Sequence, residues 1–451
     1  MIALPEGAAK GIRALEAAGY EAWAVGGCVR DSLLHVPPHD WDICTGALPN
    51  QTLEVFKGRR VVLTGLRHGT VTVLMEDGPL EVTTFRVDGT YSDSRRPDSV
   101  AFVTNLREDL SRRDFTVNAM AYHPERGLYD AFGGKEDLQN KLIRCVGDPA
   151  LRFTEDALRI LRALRFASTY GFSIEEKTGE SLLSLKERLH AVAPERIREE
   201  FLRLLCGPGA AGILRKYAPV FFVFLPELAP MVGLDQHNPY HHLDVWEHTL
   251  SALGAVPPDA ALRFAMLMHD AGKPACFFRD ANGVGHFYGH PKVSGALAEK
   301  IMARLRFDNR TKKTVEELVL FHDVTIPARE KSVRKWLNRL GEERLWQLLA
   351  IKRADAAGQS PDKREKKLAE LIALEACLRS TLNKKLPYAL KDLAVTGEDL
   401  KAAGIPPGPE MGRLLQALLN LVMAGDLPNE KAALLDAAAR GAAPGTLPKA
   451  P

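Results

Sequence analysis

"VGGCVRDSLLHVPPHDWDI" (residues 25–43) leaves an apolar, strand-like stretch through a Gly-Gly pair, enters a helix near Cys28, and ends on two aspartates one residue apart. Alternate side chains of a strand project from the same face, so Asp40 and Asp42 are expected to point to one spot. Carboxylates that close repel and raise each other's pKa unless a cation lies between them. Gly26 and Gly27 let a phosphate approach the backbone, and the helix N-terminus that follows favours negative charge. Acids that gather divalent ions beside a phosphate cradle suit two-metal nucleotidyl transfer. Glu81, in "PLEVTTFR" (79–86), falls on a neighbouring strand and is the candidate third carboxylate. Taken alone, the Gly-Gly pair reads as a plain turn, and the Asp pair reads equally well as solvated strand-edge charge.

Outward from this stretch, "YEAWAVGG" (20–27), "RRVVLT" (59–64), "TVTVLM" (70–75) and "LEVTTFRV" (80–87) carry the β-branched alternation of strands. From Phe153 onward the apolar residues recur at helical spacing, with joints at "CGPGAAG" (206–212) and "GAVPPDA" (254–260). Residues 361–437 read as further amphipathic helices, and the last dozen residues read as a frayed end. A small α+β head is therefore expected before a long all-helical body, with no internal repeat. At 451 residues and 46% hydrophobic content the chain suits two to four domains with sizeable cores. A net charge of +3 excludes a uniformly basic nucleic-acid coat, although basic residues cluster at 112–114, 158–166 and 363–367. Six cysteines without a C-x-x-C pair argue against a zinc ribbon or a disulfide framework. The N-terminus lacks a signal-peptide pattern and no stretch reaches membrane-spanning length, so the expectation is a soluble, cytoplasmic chain with no membrane partner.

The run at 25–43 resembles the signature of class II tRNA nucleotidyltransferases, the CCA-adding enzymes, and of the related bacterial poly(A) polymerases. The resemblance continues in order through "RRDFTVNAMAY" (112–122), "DAFGGKEDLQNKLIRCVGDP" (130–149) and "EDALRILRALRF" (155–166). It implies a polymerase-beta-like nucleotidyltransferase head with a small mixed sheet at 1–145. A helical neck at 146–215 would bind nucleotide and RNA, followed by a body at 216–360 and a helical, tRNA-binding tail at 361–440. Asp40, Asp42 and Glu81 would be catalytic, with Mg2+ held by Asp40 and Asp42. Gly26, Gly27, Arg30, Arg113, Asp114, Asn118, Asp156, Arg159, Arg162 and Arg165 would bind nucleotide, the 112–122 motif through the ribose 2′-hydroxyl. The partners implied are tRNA, CTP and ATP, and no protein partner.

Within "FTEDALRILRALRF" Thr154 is expected to cap a helix with Glu155 and Asp156 in its first turn, placing Asp156 and Arg159 on one face. Without the resemblance this is a capped helix with surface ion pairs. With it, the Asp-Arg pair replaces a template base. A carboxylate accepts from the amino group that C and A share, and a guanidinium donates to ring and carbonyl acceptors. Guanine and uracil put an acceptor where that amino group stands, and the mispaired buried group costs roughly 1–3 kcal/mol.

Farther on, "HNPYHHLDVWEHTL" (237–250), "MLMHDAGKP" (267–274), "HFYGHPKVSG" (286–295) and "LFHDV" (320–324) resemble the HD phosphohydrolase superfamily. The resemblance implies an HD-like body in which His248, His269, Asp270 and Asp323 ligate a Ni, Mn, Fe or Zn ion, with His290 and His322 as extras. His237, His241 and His242 match no ligand position and are expected at the polar surface. The alternative is an HD fold that only packs the body. In the tail, "GIPPGPEMGRLLQALL" (404–419) resembles a segment of some family members, and reads equally as a helix entry.

The leading expectation is CCA addition to tRNA 3′ ends, with A-only addition or poly(A) synthesis as rivals in class. A phosphohydrolase with a vestigial head, or a catalytically dead RNA-binding protein, is the rival from outside, and the intact Asp pair counts against both. "VDGTYSDSRRPDSVAFV" (87–103) has loop composition. In the family such a loop is present where A is added and missing where addition stops at CC, so deleting 89–97 is expected to yield CC ends.

Overall fold

Helix α1 (Glu6–Ala17), strand β1 (Ala22–Val25), helix α2 (Gly27–Leu33), strand β2 (Asp42–Thr45) and helix α3 (Pro49–Val55) open the chain. Strands β3 (Val61–Val62), β4 (Thr70–Met75), β5 (Gly78–Thr84) and β6 (Arg86–Asp88) follow, with β7 (Val100–Phe102) paired back on β6. Helix α4 (Leu106–Ser111), the hairpin β8 (Met120–His123) and β9 (Gly127–Asp130), and helix α5 (Gly134–Gln139) complete the head. The computed structural model describes residues 2–63, 65–66, 69–89, 100–238 and 242–441. Of the loop expected at 87–103, the ends belong to β6 and β7 and residues 90–99 lie outside the described residues.

The head sheet is ordered β3-β4-β5-β2-β1-β8-β9. β2 and β5 pair in parallel at its centre, and their neighbours are antiparallel. All four residues of β1 are buried, as are three of the four in β2. An apolar stretch covered on both faces has no polar alternation to keep. Trp23, Val25, Cys44, Phe85, Leu106 and Leu110 form the core against which α4 packs. Strand β2 begins at Asp42, so Asp40 stands in the loop before it and not on the strand.

Strand β10 (Leu142–Ile143) leaves the head and pairs in parallel with β11 (Ser173–Ile174). Between and after them run α6 (Pro149–Glu155), α7 (Leu158–Tyr170), α8 (Glu176–Ser184), α9 (Pro194–Leu205), α10 (Ala210–Lys216) and α11 (Ala218–Phe221). Residues Met1–Ala229 with Ile301–Phe307 make one compact unit. The boundary expected at 216 lies inside it, because α10 packs on α7 and α11 packs on α8.

Pro230–Lys300 with Asp308–Pro451 make the second unit. It holds α12 (Val245–Ala255), α13 (Ala260–Met268), α14 (Lys273–Cys276), most of α15 (His290–Arg304), α16 (Asn309–Phe321), α17 (Glu330–Leu340), α18 (Glu342–Ala357) and α19 (Pro361–Asn383). Asp244, Asp259 and Asp308 cap α12, α13 and α16 by accepting from the backbone N–H three residues on. The tail helices α20 (Gly397–Ala402), α21 (Pro409–Ala424) and α22 (Lys431–Gly441) close their own core around Leu400, Leu418, Leu419 and Leu434. Residues 404–408 form the turn into α21. Among the described residues no helix is long and apolar enough to cross a membrane.

Candidate functional site

At the end of β1 the chain turns at Gly26, whose φ of +82° is open to glycine, and enters α2. A Cβ on Gly26 would lie 2.9 Å from Arg113 Nη1, so the turn must be bare for that guanidinium to stand beside it. In the parallel pair, Asp42 is the direct partner of Glu81, which puts both carboxylates on one face. Burial and then Glu81 push the Asp42 carboxyl up to about 6, and Asp40 adds to this, while Arg113 opposes it. The Asp40 side chain is 74% exposed and pairs with His39 Nδ1 at 3.0 Å, so Asp42 and Glu81 are the acids brought together. Their donor set is all oxygen, which suits Mg2+.

Arg113 is held by Asp109, a buried carboxylate of α4 that accepts from Arg112 Nη2 at 2.7 Å and Arg113 Nη2 at 3.3 Å. Asp114 is buried too. Its Oδ2 accepts from Arg162 Nε at 2.8 Å and Nη2 at 2.6 Å, and its Oδ1 from Asn118 Nδ2 at 3.0 Å. Burial alone would raise its pKa, but Arg162 and Asn118 outweigh that and hold it well below the usual carboxylate range.

Sequence periodicity joins residues 154–166 into one helix, but the structure breaks it. Helix α6 is capped by Asp148 and ends at Glu155, and Asp156 has extended φ/ψ of −136° and 105°. Asp156 Oδ1 then accepts from Leu158 N at 3.0 Å, starting α7 afresh. Thr154 therefore lies in the last turn of α6 and caps nothing, and Asp156 faces the site from a joint between helices. Its Oδ2 accepts from Arg196 Nη2 at 3.0 Å. Arg159 is buried and donates to Glu155 Oε2 at 2.5 Å, Arg152 O at 3.2 Å and Arg112 O at 3.0 Å.

Arg112, Arg113, Asp114, Asp156, Arg159, Arg162 and Arg196 together line a cavity of about 260 Å³. Five guanidiniums face two carboxylates there, a balance that suits a polyanionic nucleotide. Arg112 and Arg196 are the members that motif reading overlooked. Three expected ligands stand behind the wall. Arg30 donates to Asn118 Oδ1 at 2.5 Å and to both oxygens of Asp31, and lies over both the Phe166 and Tyr170 rings. Asn118 bridges Arg30 to Asp114. Arg165 donates to Glu200 Oε2 at 2.5 Å and lies over the Phe166 ring.

In the second unit six side chains from five helical segments converge. His248 is on α12, His269 and Asp270 follow α13, His290 opens α15, His322 ends α16, and Asp355 is on α18. Each imidazole places Nδ1 against a backbone carbonyl, at 3.1 Å for His248 (Gly358), 2.7 Å for His269 (Met266), 2.9 Å for His290 (Phe287) and 2.7 Å for His322 (Val319). That leaves every Nε2 facing the carboxylates, the arrangement of metal-ligating histidines. Asp270 Oδ2 lies 3.2 Å from His269 Nε2 and 3.7 Å from His248 Nε2, while its Oδ1 lies 3.2 Å from His290 Nε2 and 3.8 Å from His322 Nε2. Asp355 Oδ1 is 2.9 Å from His248 Nε2 and 3.6 Å from His269 Nε2. Burial alone would lower the His269 pKa, but Asp270 and Asp355 push it up to about 10. Burial and His269 push His322 down to about 3. A proton on His269 thus stands where a cation would serve the same two carboxylates. The residues fit a metal.

Asp323, expected among these ligands, is exposed. It follows His322 at the end of a helix, and neighbouring residues there point about 100° apart. Asp355 occupies the position instead. His242 is exposed, His237 is half-buried against Phe277, and His241 lies outside the described residues.

A central sheet carrying paired acids beside a glycine turn, with an arginine-lined cavity next to it, defines a nucleotidyltransferase. The poly A polymerase head domain matches residues 22–144, "Probable RNA and SrmB- binding site of polymerase A" matches 171–230, and tRNA nucleotidyltransferase domain 2 matches 287–438. A CCA-adding enzyme of Lactobacillus delbrueckii subsp. bulgaricus is 36% identical over 94% of this chain and 94% of its own, and one of Levilactobacillus brevis is 35% identical over 94% and 95%. The crystal structure of the Bacillus stearothermophilus CCA-adding enzyme in complex with CTP superposes with a TM-score of 0.71 at 29% identity, covering 96% of each chain. The chain belongs to the CCA-adding enzyme family. Nucleotidyl transfer with a divalent metal is the chemistry of that family.

Proposed function

We propose that Asp40, Asp42 and Glu81 are the catalytic carboxylates and that the arginine-lined cavity takes the incoming nucleotide. As a family member the chain adds CCA to tRNA 3′ ends from CTP and ATP. The observation that carries the residue assignment is the parallel register of Asp42 with Glu81 beside the Gly26 turn. Asp40 and Asp42 would hold Mg2+, which when bound activates the attacking 3′-hydroxyl and steadies the triphosphate. Gly26 and Gly27 leave room for phosphate at the start of α2. Arg112, Arg113 and Arg162 offer charge to it. Asp114, fixed by Arg162 and Asn118, stands where a ribose hydroxyl can donate to it. Asp156 accepts from the amino group that cytosine and adenine share, and Arg159 donates to the ring acceptors, so the pair reads the base without a template.

Arg30, Asn118 and Arg165 serve this cavity by positioning its wall. The proposed division of labour is catalysis at 1–145, nucleotide and RNA binding at 146–215 and tRNA binding by the tail at 361–440, in the cytoplasm. Primer extension with CTP, ATP, UTP and GTP on tRNA lacking its last three residues tests the assignment. Asp42→Ala should stop addition while tRNA binding survives, since phosphate contacts elsewhere supply affinity. Addition by that variant at a near wild-type rate would overturn it.

The six side chains gathered in the second unit, five of them buried and Asp355 half-buried, favour a further reading, a transition-metal site that hydrolyses phosphoesters or 2′,3′-cyclic phosphates. Ni, Mn, Fe and Zn all suit imidazole and carboxylate. Mass-spectrometric metal analysis of the purified chain, with hydrolysis assays on the His269→Ala/Asp270→Ala variant, decides it. A protein free of transition metal and inert toward phosphoesters would leave the cluster as packing.

A further inference from the structure

Beside the His/Asp cluster lies a second cavity, of about 400 Å³, that no step above uses. Three lysines of α19 line it, Lys363, Lys366 and Lys367, with Gln359, Asp323 and Glu370. Positions i, i+3 and i+4 of a helix share a face, so the three ammonium groups are carried into one space. The cavity shares a wall with the cluster. Gln359 Nε2 donates to Asp355 Oδ2 at 3.3 Å, and Asp323 directly follows His322. Lys363 is the first of the three along the helix. It stands in the first turn of α19, where the macrodipole disfavours a cation. Three cations against two carboxylates leave the lining net positive, next to a site where Asp270 Oδ2 already pairs with Lys273 Nζ at 2.7 Å.

We propose that this cavity holds a second phosphate of the substrate on which the His/Asp centre acts. The centre then takes phosphoesters carrying another phosphate about one ribose away, either a nucleoside bisphosphate or a phosphorylated RNA 3′ end, in preference to simple monoesters. This rests on the hydrolase reading of the centre. In the reaction, water oxygen forms the new bond to phosphorus and the bond from phosphorus to the ribose oxygen breaks. A proton from water passes to that oxygen, which leaves as a hydroxyl, and inorganic phosphate is released. The lysines take no part in these steps and bind only the phosphate that stays.

The test uses the full chain with uridine 3′-monophosphate and uridine 3′,5′-bisphosphate, since Asp156 in the head selects against uracil. Binding is measured by calorimetry, and phosphate release is measured separately with Mn2+ or Ni2+ added. Charge-assisted contacts to the second phosphate should favour the bisphosphate by about tenfold in both measurements. In Lys366→Gln/Lys367→Gln the ratio should fall to about one, and in Lys366→Arg/Lys367→Arg it should be retained. Equal binding of the two compounds by the wild-type chain, or an unchanged ratio in the glutamine variant, would overturn the proposal. If the bisphosphate preference is present and lysine-dependent but neither compound is cleaved, the anion site stands and the hydrolase reading falls. A 3′-phosphorylated pentauridylate tells the two sources apart: binding about tenfold tighter than the bisphosphate identifies an RNA end, and equal binding identifies the free nucleotide.

Discussion

Replacing Arg196 by alanine removes a guanidinium that donates to Asp156 Oδ2 in the cavity, at 3.0 Å. The two side chains are 25% and 15% exposed, so water screens the pair, and its loss should cost about 1 kcal/mol of stability or less. The effect on nucleotide choice should be larger. Asp156 sits at a break between helices, and with Arg196 gone the bond from Leu158 N at 3.0 Å still holds one oxygen of its carboxylate while Oδ2 loses this donor. A carboxylate free to turn away no longer confronts the carbonyl oxygen of uracil or guanine with an unpaired acceptor. Rejection worth roughly 1–3 kcal/mol when the geometry is fixed should then weaken by about 1.4 kcal/mol, or tenfold in relative kcat/KM. Single-turnover addition to tRNA lacking CCA, with CTP or ATP against UTP or GTP, reads this directly. Arg196→Lys should fall between wild type and Arg196→Ala, keeping the charge without the planar fork. Unchanged ratios in Arg196→Ala, with only the small loss of stability, would refute the reasoning and leave the pair as a strut between the α6–α7 joint and α9.

Asp42→Asn should abolish addition yet raise the stability of the metal-free protein, because an amide replaces a carboxylate crowded by Glu81. Since the folded Asp42 carboxyl is raised to about 6, its contribution is present at low pH and is lost as pH rises from about 4 to about 6. Urea unfolding of the metal-free protein should show that slope, and the Asn variant should lack it. Asp114→Asn strips the Arg162 guanidinium of its buried counter-charge and should cost about 2–3 kcal/mol, read by urea titration. Gly26→Ala, at φ +82° and against Arg113, should cost about 1–2 kcal/mol and slow addition sharply. Metal analysis should find transition metal retained in Asp323→Ala and lost in Asp355→Ala.

The pairing of Asp42 with Glu81 was legible because strand alternation is a local, period-two signal, and a parallel register keeps directly paired residues on one face. The break at Asp156 was not. Its neighbours keep helical spacing on both sides, and only a side chain bonding Leu158 N shows that the backbone leaves the helix. Arg196 lies 40 residues from Asp156, and an ion pair between separate helices imposes no pattern on either. Asp355 sits in "KRADAAG" between Ala354 and Ala356, both buried, so the acid that meets His248 stands in a small-residue run with no histidine beside it. Motif spacing favoured Asp323, the acid nearest His322, whereas packing chose the acid on the facing helix. Arg30 and Arg165 read as ligands because they stand in the right motifs. Their burial among aromatic rings and acids could be seen only once α2, α7 and α9 were assembled.

The lodging of Arg30 against the Phe166 and Tyr170 rings bears on modularity. A head cut at residue 145 would expose a buried guanidinium stripped of both rings and of the Tyr170 hydroxyl that donates to Asp31 at 2.9 Å. The same cut would part β10 from β11 and Asp114 from Arg162. The segment that carries Asp40, Asp42 and Glu81 is thus joined to α7 by buried contacts that expressing or exchanging it alone would break. A transplant between relatives has to carry α7 and α9 with it, so catalysis and base choice are inherited as one cassette.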